Sequence, residues 1–356
     1  LFRKPFMIFA MCDFSRYLIR DNVTVREALI ALNRLSNDTL VLFVIDRDRR
    51  LVGTLTDGDV RRGLIEGLRV EDCVTEAMFT SFRYIYETEF SVERLKQLKE
   101  EGVKLLPVLK SDCTIRAIYN LKKKKSILPI DAVLMAGGKG ERLRPLTEKT
   151  PKPLLKVGEK AIIDYNIDNL ISYGVSHISV TTNYLGEQIE KHFEAAREGI
   201  KVNCVREPQY LGTIGSIKFV DTFYNDTILL MNSDLFTNIN FEDFFLHFRR
   251  NHADMSVAAI PYSISVPYGI FELDERKIKG VREKPTYSYY ANSGIYLISR
   301  KLLDLIPDGV FFNATDFMEK LIHDGFNVIR FPLVGYWIDI GKHEDYRKAQ
   351  EFVKHL

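Results

Sequence analysis

The sequence predicts an α+β pair of repeats followed by an α/β domain, Rossmann-like, with a mainly parallel sheet and helices on both faces. Three observations predict it. Residues 42–55 match residues 106–119 at a constant offset of 64, each stretch preceded by a helical pattern. From Ile130 onward, short apolar strands alternate with amphipathic helical segments. The first of those strands runs directly into Gly137-Gly138-Lys139-Gly140. At 356 residues the chain exceeds the size at which one hydrophobic core stops growing, so two domains are expected.

The elements follow in order. Val25–Leu35 and Val92–Leu98 have helical periodicity, and the hairpin pattern after each closes one repeat, placing the repeat pair at residues 1–121. Lys122 to Lys125 with Ser126-Ile127-Leu128-Pro129 reads as an exposed linker over 122–129. The second domain spans 130–356. Within it Asp131–Ala136, His177–Asn183 and Thr227–Asn232 read as buried strands, and Ile162–Tyr173 and Leu185–Arg197 as helices. Ligands of such a sheet bind at the C-terminal ends of its strands.

Composition excludes several classes. A formal net charge of +2, with no basic stripe interleaved with aromatics, argues against a nucleic-acid partner. No stretch approaches the roughly 20 apolar residues of a membrane span. Cys12, Cys73, Cys113 and Cys204 are scattered without metal-ligand spacing, which argues against zinc and against a disulfide framework, and a reducing cytoplasm is the expected location. The opening Leu1 to Met11 is not expected to be a signal peptide, and Met7 or Met11 is an alternative start.

An apolar strand that ends in a glycine run lets consecutive backbone N–H groups turn inward as an anion nest, to which Arg142 and Lys152 add fixed positive charge. No Ser or Thr follows Lys139, so the loop is not a Walker A, and it lacks the Rossmann glycine spacing. It reads as a site for a nucleoside triphosphate. The stretch Asp131 to Lys156 resembles the signature of the sugar-phosphate nucleotidylyltransferases. That resemblance continues through Leu211-Gly212-Thr213, Asn232-Ser233-Asp234, Pro267-Tyr268-Gly269, Glu283-Lys284-Pro285, Asn292-Ser293-Gly294 and Trp337-Ile338-Asp339-Ile340-Gly341.

The resemblance implies attack of a sugar 1-phosphate oxygen on the α-phosphorus of the nucleotide, with pyrophosphate leaving. It implies that Asp234 and Asp339 are the carboxylates for Mg²⁺, Arg142 holds the β,γ-phosphates and Lys152 the α-phosphate. It also implies that Gly137, Gly138, Gly140 and Gly212 line the nucleotide, and that Lys284 binds the sugar's phosphate with Glu283, Gly269 and Asn292 on the sugar. Trp337 is expected to pack beside Asp339.

Base choice falls to Glu207, in the neighbourhood from which the family reads the base. A carboxylate accepts hydrogen bonds and donates none, which suits the N1–H and N2–H₂ edge of guanine and favours GTP. The alternative for Glu207 is a surface salt bridge with Arg206 or Lys201. The repeat pair resembles tandem cystathionine-β-synthase (CBS) domains, in which Thr56 and Asp59 would meet the phosphate and ribose of a regulatory adenine or guanine nucleotide. Asn120-Leu121-Lys122-Lys123 has neither group at the second ligand loop. A CBS pair ahead of such a catalytic domain resembles the guanylyltransferases that use glucosamine 1-phosphate in surface-glycan biosynthesis. Mannose 1-phosphate with GTP, and glucose 1-phosphate with UTP or dTTP, are the alternatives. A homo-oligomer is expected.

Overall fold

A computed structural model describes residues 14–35 and 38–355. Cys12 and the alternative start methionines lie outside them. The described residues divide into two compact units, one running to Leu128 and including Ser172–Ser176, the other comprising Pro129–Ile171 and the chain from His177 onward.

The first unit is built twice from the same plan. In the first copy β1 (Leu18–Arg20) and α1 (Val25–Arg34) precede β2 (Val41–Ile45), β3 (Leu51–Thr56) and α2 (Asp57–Ile65). The second copy has β4 (Ile85–Tyr86), α3 (Val92–Glu100), β5 (Leu105–Leu109) and β6 (Ile115–Asn120). Each sheet pairs its first strand parallel and its last strand antiparallel to the middle one. The correspondence is residue by residue. Arg49 and Cys113 take left-handed φ of 64° and 65° in the two turns, and bulges fall at Val44/Ile45 and at Val108/Leu109. Arg50 and Thr114, again 64 apart, pair with each other in an antiparallel bridge. Equivalent residues that face one another mark a local two-fold axis.

The copies diverge after the hairpin. Thr56 caps α2, whereas Asn120 at the matching position caps only a turn, its Oδ1 accepting from the N–H groups of Lys122 and Lys123. The lysine run is not a free hinge: Lys123 pairs with Asp38 at 3.6 Å, and Lys125 donates its backbone N–H to the Ser172 carbonyl.

The second unit comprises β7 (Asp131–Ala136), β8 (Lys156–Val157), β9 (Lys160–Ala161), α4 (Ile162–Ser172), β10 (His177–Thr182), α5 (Gly186–His192), β11 (Val202–Arg206), β12 (Thr227–Asn232), β13 (Leu235–Thr237), α6 (Phe241–Arg250), β14 (Met255–Ser265), β15 (Ile270–Asp274), β16 (Lys277–Arg282), β17 (Thr286–Ser299), α7 (Ala314–His323), β18 (Val328–Pro332), β19 (Trp337–Asp339) and α8 (His343–Val353). Seven strands form one sheet in the order β11-β10-β7-β12-β17-β14-β18. Only β17 runs against its neighbours, so the sheet is mainly parallel. Val133, Ile228, Leu230 and Ile298 pack with Ala314, Phe317 and Leu321 of α7 on one face. Ala132, Leu134, Leu229 and Met231, which alternate with them, are equally buried, so both faces are covered.

One helix is shorter than its pattern. The periodicity extends to Arg197, but α5 stops at His192. Arg197 instead bonds back to Ile200 through its backbone and sends its guanidinium to Asp164 at 2.9 Å and Asp168 at 3.2 Å, so tertiary ion pairs override the local helical preference.

Candidate active site

The glycine loop leaves β7 at its C-terminal end, where a parallel sheet opens to ligands. Gly138 faces open space, and Gly140 takes φ 62°, the left-handed turn into the short helix Glu141–Leu143 that presents Arg142. The loop then doubles back: Thr147 Oγ1 donates to the Gly140 carbonyl at 2.9 Å, and Lys152 enters on a single helical turn after Pro151. Three side chains that sequence reasoning did not single out brace this segment. Tyr184 donates its hydroxyl to the Thr147 carbonyl at 3.0 Å, Gln188 its amide to the Lys149 carbonyl at 2.9 Å, and His343 lies 2.9 Å from the Arg144 carbonyl. All three act on backbone, which leaves no trace in a motif.

The two expected carboxylates meet across a strand pair. Antiparallel β13 and β19 place Leu235 opposite Asp339, and the N–H of Ile340 donates to the Asp234 carbonyl at 3.2 Å. Asn166, buried on α4, holds the turn before β13 by donating to the carbonyls of Ser233 and Leu235 at 3.3 and 2.8 Å. Ser233 donates its hydroxyl to the Met135 carbonyl, tying the same turn to β7. Lys152, only 9% exposed, pairs with Asp234 Oδ2 and lies 3.9 Å from Asp339 Oδ1. Burial pushes the Asp339 carboxyl above its ordinary range and the Asp234 charge raises it further, while Lys152 and Arg142 oppose the shift. Arg142 reaches the same corner, since a Cβ on Gly341 would lie 3.4 Å from its guanidinium and 3.5 Å from Asp339 Oδ2.

Asp234 Oδ1 is buried and has no hydrogen-bond partner. An unpartnered carboxylate oxygen beside a second carboxylate fits a hard divalent cation, which takes one or two carboxylates and keeps its waters. Among the described residues no group of three or more His, Cys, Asp or Glu forms a closed metal site.

Glu207 is not at the surface. It is 3% exposed, and Arg206 pairs with Glu187 and Glu190 instead, which removes the salt-bridge alternative. One carboxylate oxygen accepts the Leu211 N–H at 3.0 Å, while the other lies against Gly137 so closely that any Cβ there would overlap it. Burial raises its pKa, and the Leu211 hydrogen bond partly opposes that. Asn183, at the end of β10, donates to the Glu207 carbonyl at 3.4 Å and completes the wall.

The remaining expected residues are placed less uniformly. Gly212 packs on the Phe312 carbonyl, where a Cβ would come within 2.6 Å. Gly269 and Glu283 approach one another at the base of the β15–β16 hairpin, and neither Glu283 nor Lys284 forms an ion pair among the described residues. Asn292 is turned inward, donating to the Tyr296 hydroxyl at 2.7 Å and accepting the Gly294 N–H at 2.9 Å. Trp337 is half-buried and donates its indole N–H to the Ser293 carbonyl at 2.9 Å, which fastens β19, and with it Asp339, to β17. In the first unit Thr56 and Asp59 are bonded to each other as a capping box, and Arg62 pairs with Asp59.

Residues 131–355 match the family described as nucleotidyl transferase, from the start of β7 through α8. The chain belongs to the nucleotidyl transferase family. It is 29% identical over 226 residues to the mannose-1-phosphate guanylyltransferase catalytic subunit beta of Xenopus tropicalis, covering 60% of this chain and 62% of that protein. It is 27% identical over 239 residues to the UTP–glucose-1-phosphate uridylyltransferase of Synechocystis, covering 61% and 62%. The chain thus spans about three fifths of the length of these curated relatives. A crystal structure of a candidate glucose-1-phosphate thymidylyltransferase from Bacillus anthracis superposes with a TM-score of 0.50 at 23% identity, covering 64% of this chain and 96% of that one, which shows the shared fold. No helix among the described residues is long and apolar enough to cross a membrane.

Proposed function

We propose that the protein is a Mg²⁺-dependent sugar-1-phosphate nucleotidylyltransferase that joins a nucleoside triphosphate to a sugar 1-phosphate and releases pyrophosphate. The observation that carries this reading is the buried Lys152 set between Asp234 and Asp339 beside the glycine loop. In the reaction an oxygen of the sugar 1-phosphate forms a bond to the α-phosphorus, and the bond from that phosphorus to the bridging oxygen of the β-phosphate breaks. Two anions must approach in line, so the protein supplies position and countercharge rather than a nucleophile. The loop N–H groups from Gly137 to Gly140 cradle phosphate, Arg142 takes the departing β,γ-phosphates, and Lys152 neutralises charge that develops between the two substrates. Lys284 binds the sugar's phosphate, with Glu283, Gly269 and Asn292 toward the sugar. Asp234 and Asp339 would hold Mg²⁺, which would supply further neutralisation of phosphate oxygens.

GTP is the favoured nucleotide because Glu207 is a buried acceptor with one oxygen left for a ligand, as the N1–H and N2–H₂ edge of guanine requires. Glucosamine 1-phosphate is the favoured sugar, since a carboxylate at Glu283 suits an ammonium at C2. Mannose 1-phosphate with GTP is the second reading, supported by relatives named for that activity; the glucose 1-phosphate reading is supported by the uridylyltransferase relative. The first unit is proposed as a tandem CBS pair, supported by its two-fold repetition, in which Thr56 and Asp59 would take a regulatory adenine or guanine nucleotide once released from their capping box. A matrix of nucleoside triphosphates against sugar 1-phosphates, read by pyrophosphate release with Mg²⁺, tests activity, base and sugar together. Release of orthophosphate or a nucleoside diphosphate in place of pyrophosphate would overturn the reaction class.

A further inference from the structure

The turn that follows β10 touches three parts of the site at once. The Thr182 carbonyl accepts the Glu207 N–H at 3.0 Å, and Asn183 donates its side-chain amide to the Glu207 carbonyl, so the turn holds Glu207 by its backbone. Tyr184 donates its backbone N–H to the Gly137 carbonyl at 3.4 Å, at the start of the glycine loop. Its hydroxyl reaches the opposite limb, donating to the Thr147 carbonyl at 3.0 Å and lying 3.3 Å from that of Glu148. Thr147 in turn holds Gly140 through its own hydroxyl. One residue therefore spans both ends of the glycine loop.

The limb that Tyr184 holds leads straight to Lys152. Pro145, Leu146, Glu148 and Lys149 are exposed and offer little packing of their own. Gln188, in the first turn of α5, donates to the Lys149 carbonyl at 2.9 Å. Lys149 stands three residues before Lys152, Pro151 holds its φ at −63°, and Lys152 to Leu154 form a single helical turn. So short and stiff a path has little slack, and displacing the 147–149 carbonyls displaces Lys152. Leu185, between the two clamping side chains, takes a left-handed φ of 49°, a conformation that favours glycine. The chain bears that strain where Tyr184 and Gln188 reach one loop, and backbone strain of this kind gathers at functional sites.

We propose that Tyr184 is a positioning residue for nucleotidyl transfer: through the Thr147 carbonyl it fixes Lys152 relative to the glycine loop, and so acts on the chemical step and not on substrate affinity. The role rests on the proposed transfer chemistry of Lys152. A cation that stabilises charge developing between two phosphates must be in place before the reaction, and misplacement by about 1 Å can cost about a hundredfold. The backbone N–H that holds Gly137 does not depend on the side chain, so the nest stays intact when the hydroxyl is removed. That separates Tyr184 from Arg142 and the glycines, which are assigned to phosphate directly.

Tyr184→Phe removes the hydroxyl and keeps the ring. Pyrophosphate release should show kcat lower by about tenfold, with both KM values within about twofold of the parent's. In a Lys152→Ala background the same change should be silent, because the group it positions is gone. Hydrogen exchange of the substrate-free full chain gives a second readout: amides of residues 147–152 should exchange at least about fivefold faster in Tyr184→Phe, with β7 and β12 unchanged. Unchanged exchange in 147–152 overturns the proposal. So does a loss that appears in KM, or one that multiplies with that of Lys152→Ala, as a merely structural residue would give. A parent that releases no pyrophosphate with any substrate pair overturns the transfer reading instead, and the exchange result then decides alone whether Tyr184 clamps the loop.

Discussion

Gly137→Ala brings two buried groups into conflict, and its cost can be worked from the site. A Cβ at 137 would lie far inside the 3.0 Å that real Cβ atoms keep from Glu207 Oε1, and 3.3 Å from Asn183 Cβ, so the carboxylate has to withdraw. Its two oxygens move as one rigid group, and the other accepts the Leu211 N–H at 3.0 Å. Withdrawal therefore leaves a buried N–H unpaired, at a cost of about 1–3 kcal/mol. Glu207→Ala removes the obstacle and also leaves Leu211 unpaired, so the two changes share one loss and should not add. We expect each single variant to be destabilised by about 2 kcal/mol and the double variant by little more than either, a coupling of about 1–2 kcal/mol. Urea denaturation followed by Trp337 fluorescence reports the second unit specifically, because Trp337 is the single tryptophan. Additivity within about 0.5 kcal/mol would refute the contact between Gly137 and Glu207.

The other expectations concern the charges. Asp339 has a raised pKa when folded, so its ionised form costs stability, a penalty absent below the unfolded value of about 3.9 and growing as pH rises through the folded value. Asp339→Asn should therefore melt at a higher temperature than the parent at pH 7 without Mg²⁺, the gap closing toward pH 3.5. Adding Mg²⁺ should raise the parent's melting temperature and leave the variant's unmoved, and turnover should fall more than about a hundredfold. Lys284→Ala should raise the KM for sugar 1-phosphate, whereas Lys152→Ala should lower kcat; identical patterns would contradict the division of roles. Glu207→Gln should lose GTP use relative to UTP by about 1–3 kcal/mol in kcat/KM, and a parent enzyme that prefers UTP would remove the basis for that expectation. Calorimetric titration of the full chain with AMP, ATP, GMP and GTP should show binding that Thr56→Val/Asp59→Ala abolishes; silence toward all four would leave the first unit a scaffold.

The parts of the fold that were legible are those in which one strand or loop specifies itself. β7 and β12 begin and end where their apolar runs do, because a strand buried on both faces has no polar alternation to blur it. The 64-residue repeat was legible for the same local reason, and its two-fold pairing of Arg50 with Thr114 was not, since pairing between copies is a tertiary event. Motif order pointed to Lys152, Asp234 and Asp339, but not to Asn166, Tyr184 and Gln188, which position them through backbone carbonyls and so need only be polar and well placed. The antiparallel course of β17 had no signature, because strand direction is set by the connections around it.

Pyrophosphate release by the full chain with GTP, glucosamine 1-phosphate and Mg²⁺, compared between the parent and Lys152→Ala, bears most directly on the claim that this cluster transfers a nucleotidyl group. The account predicts stoichiometric pyrophosphate and GDP-sugar from the parent, and a kcat lower by about two orders of magnitude in the variant, the scale of one preorganised charge at a phosphoryl transition state. Undiminished kcat in Lys152→Ala, or no pyrophosphate from the parent with any nucleoside triphosphate and sugar 1-phosphate, would contradict it.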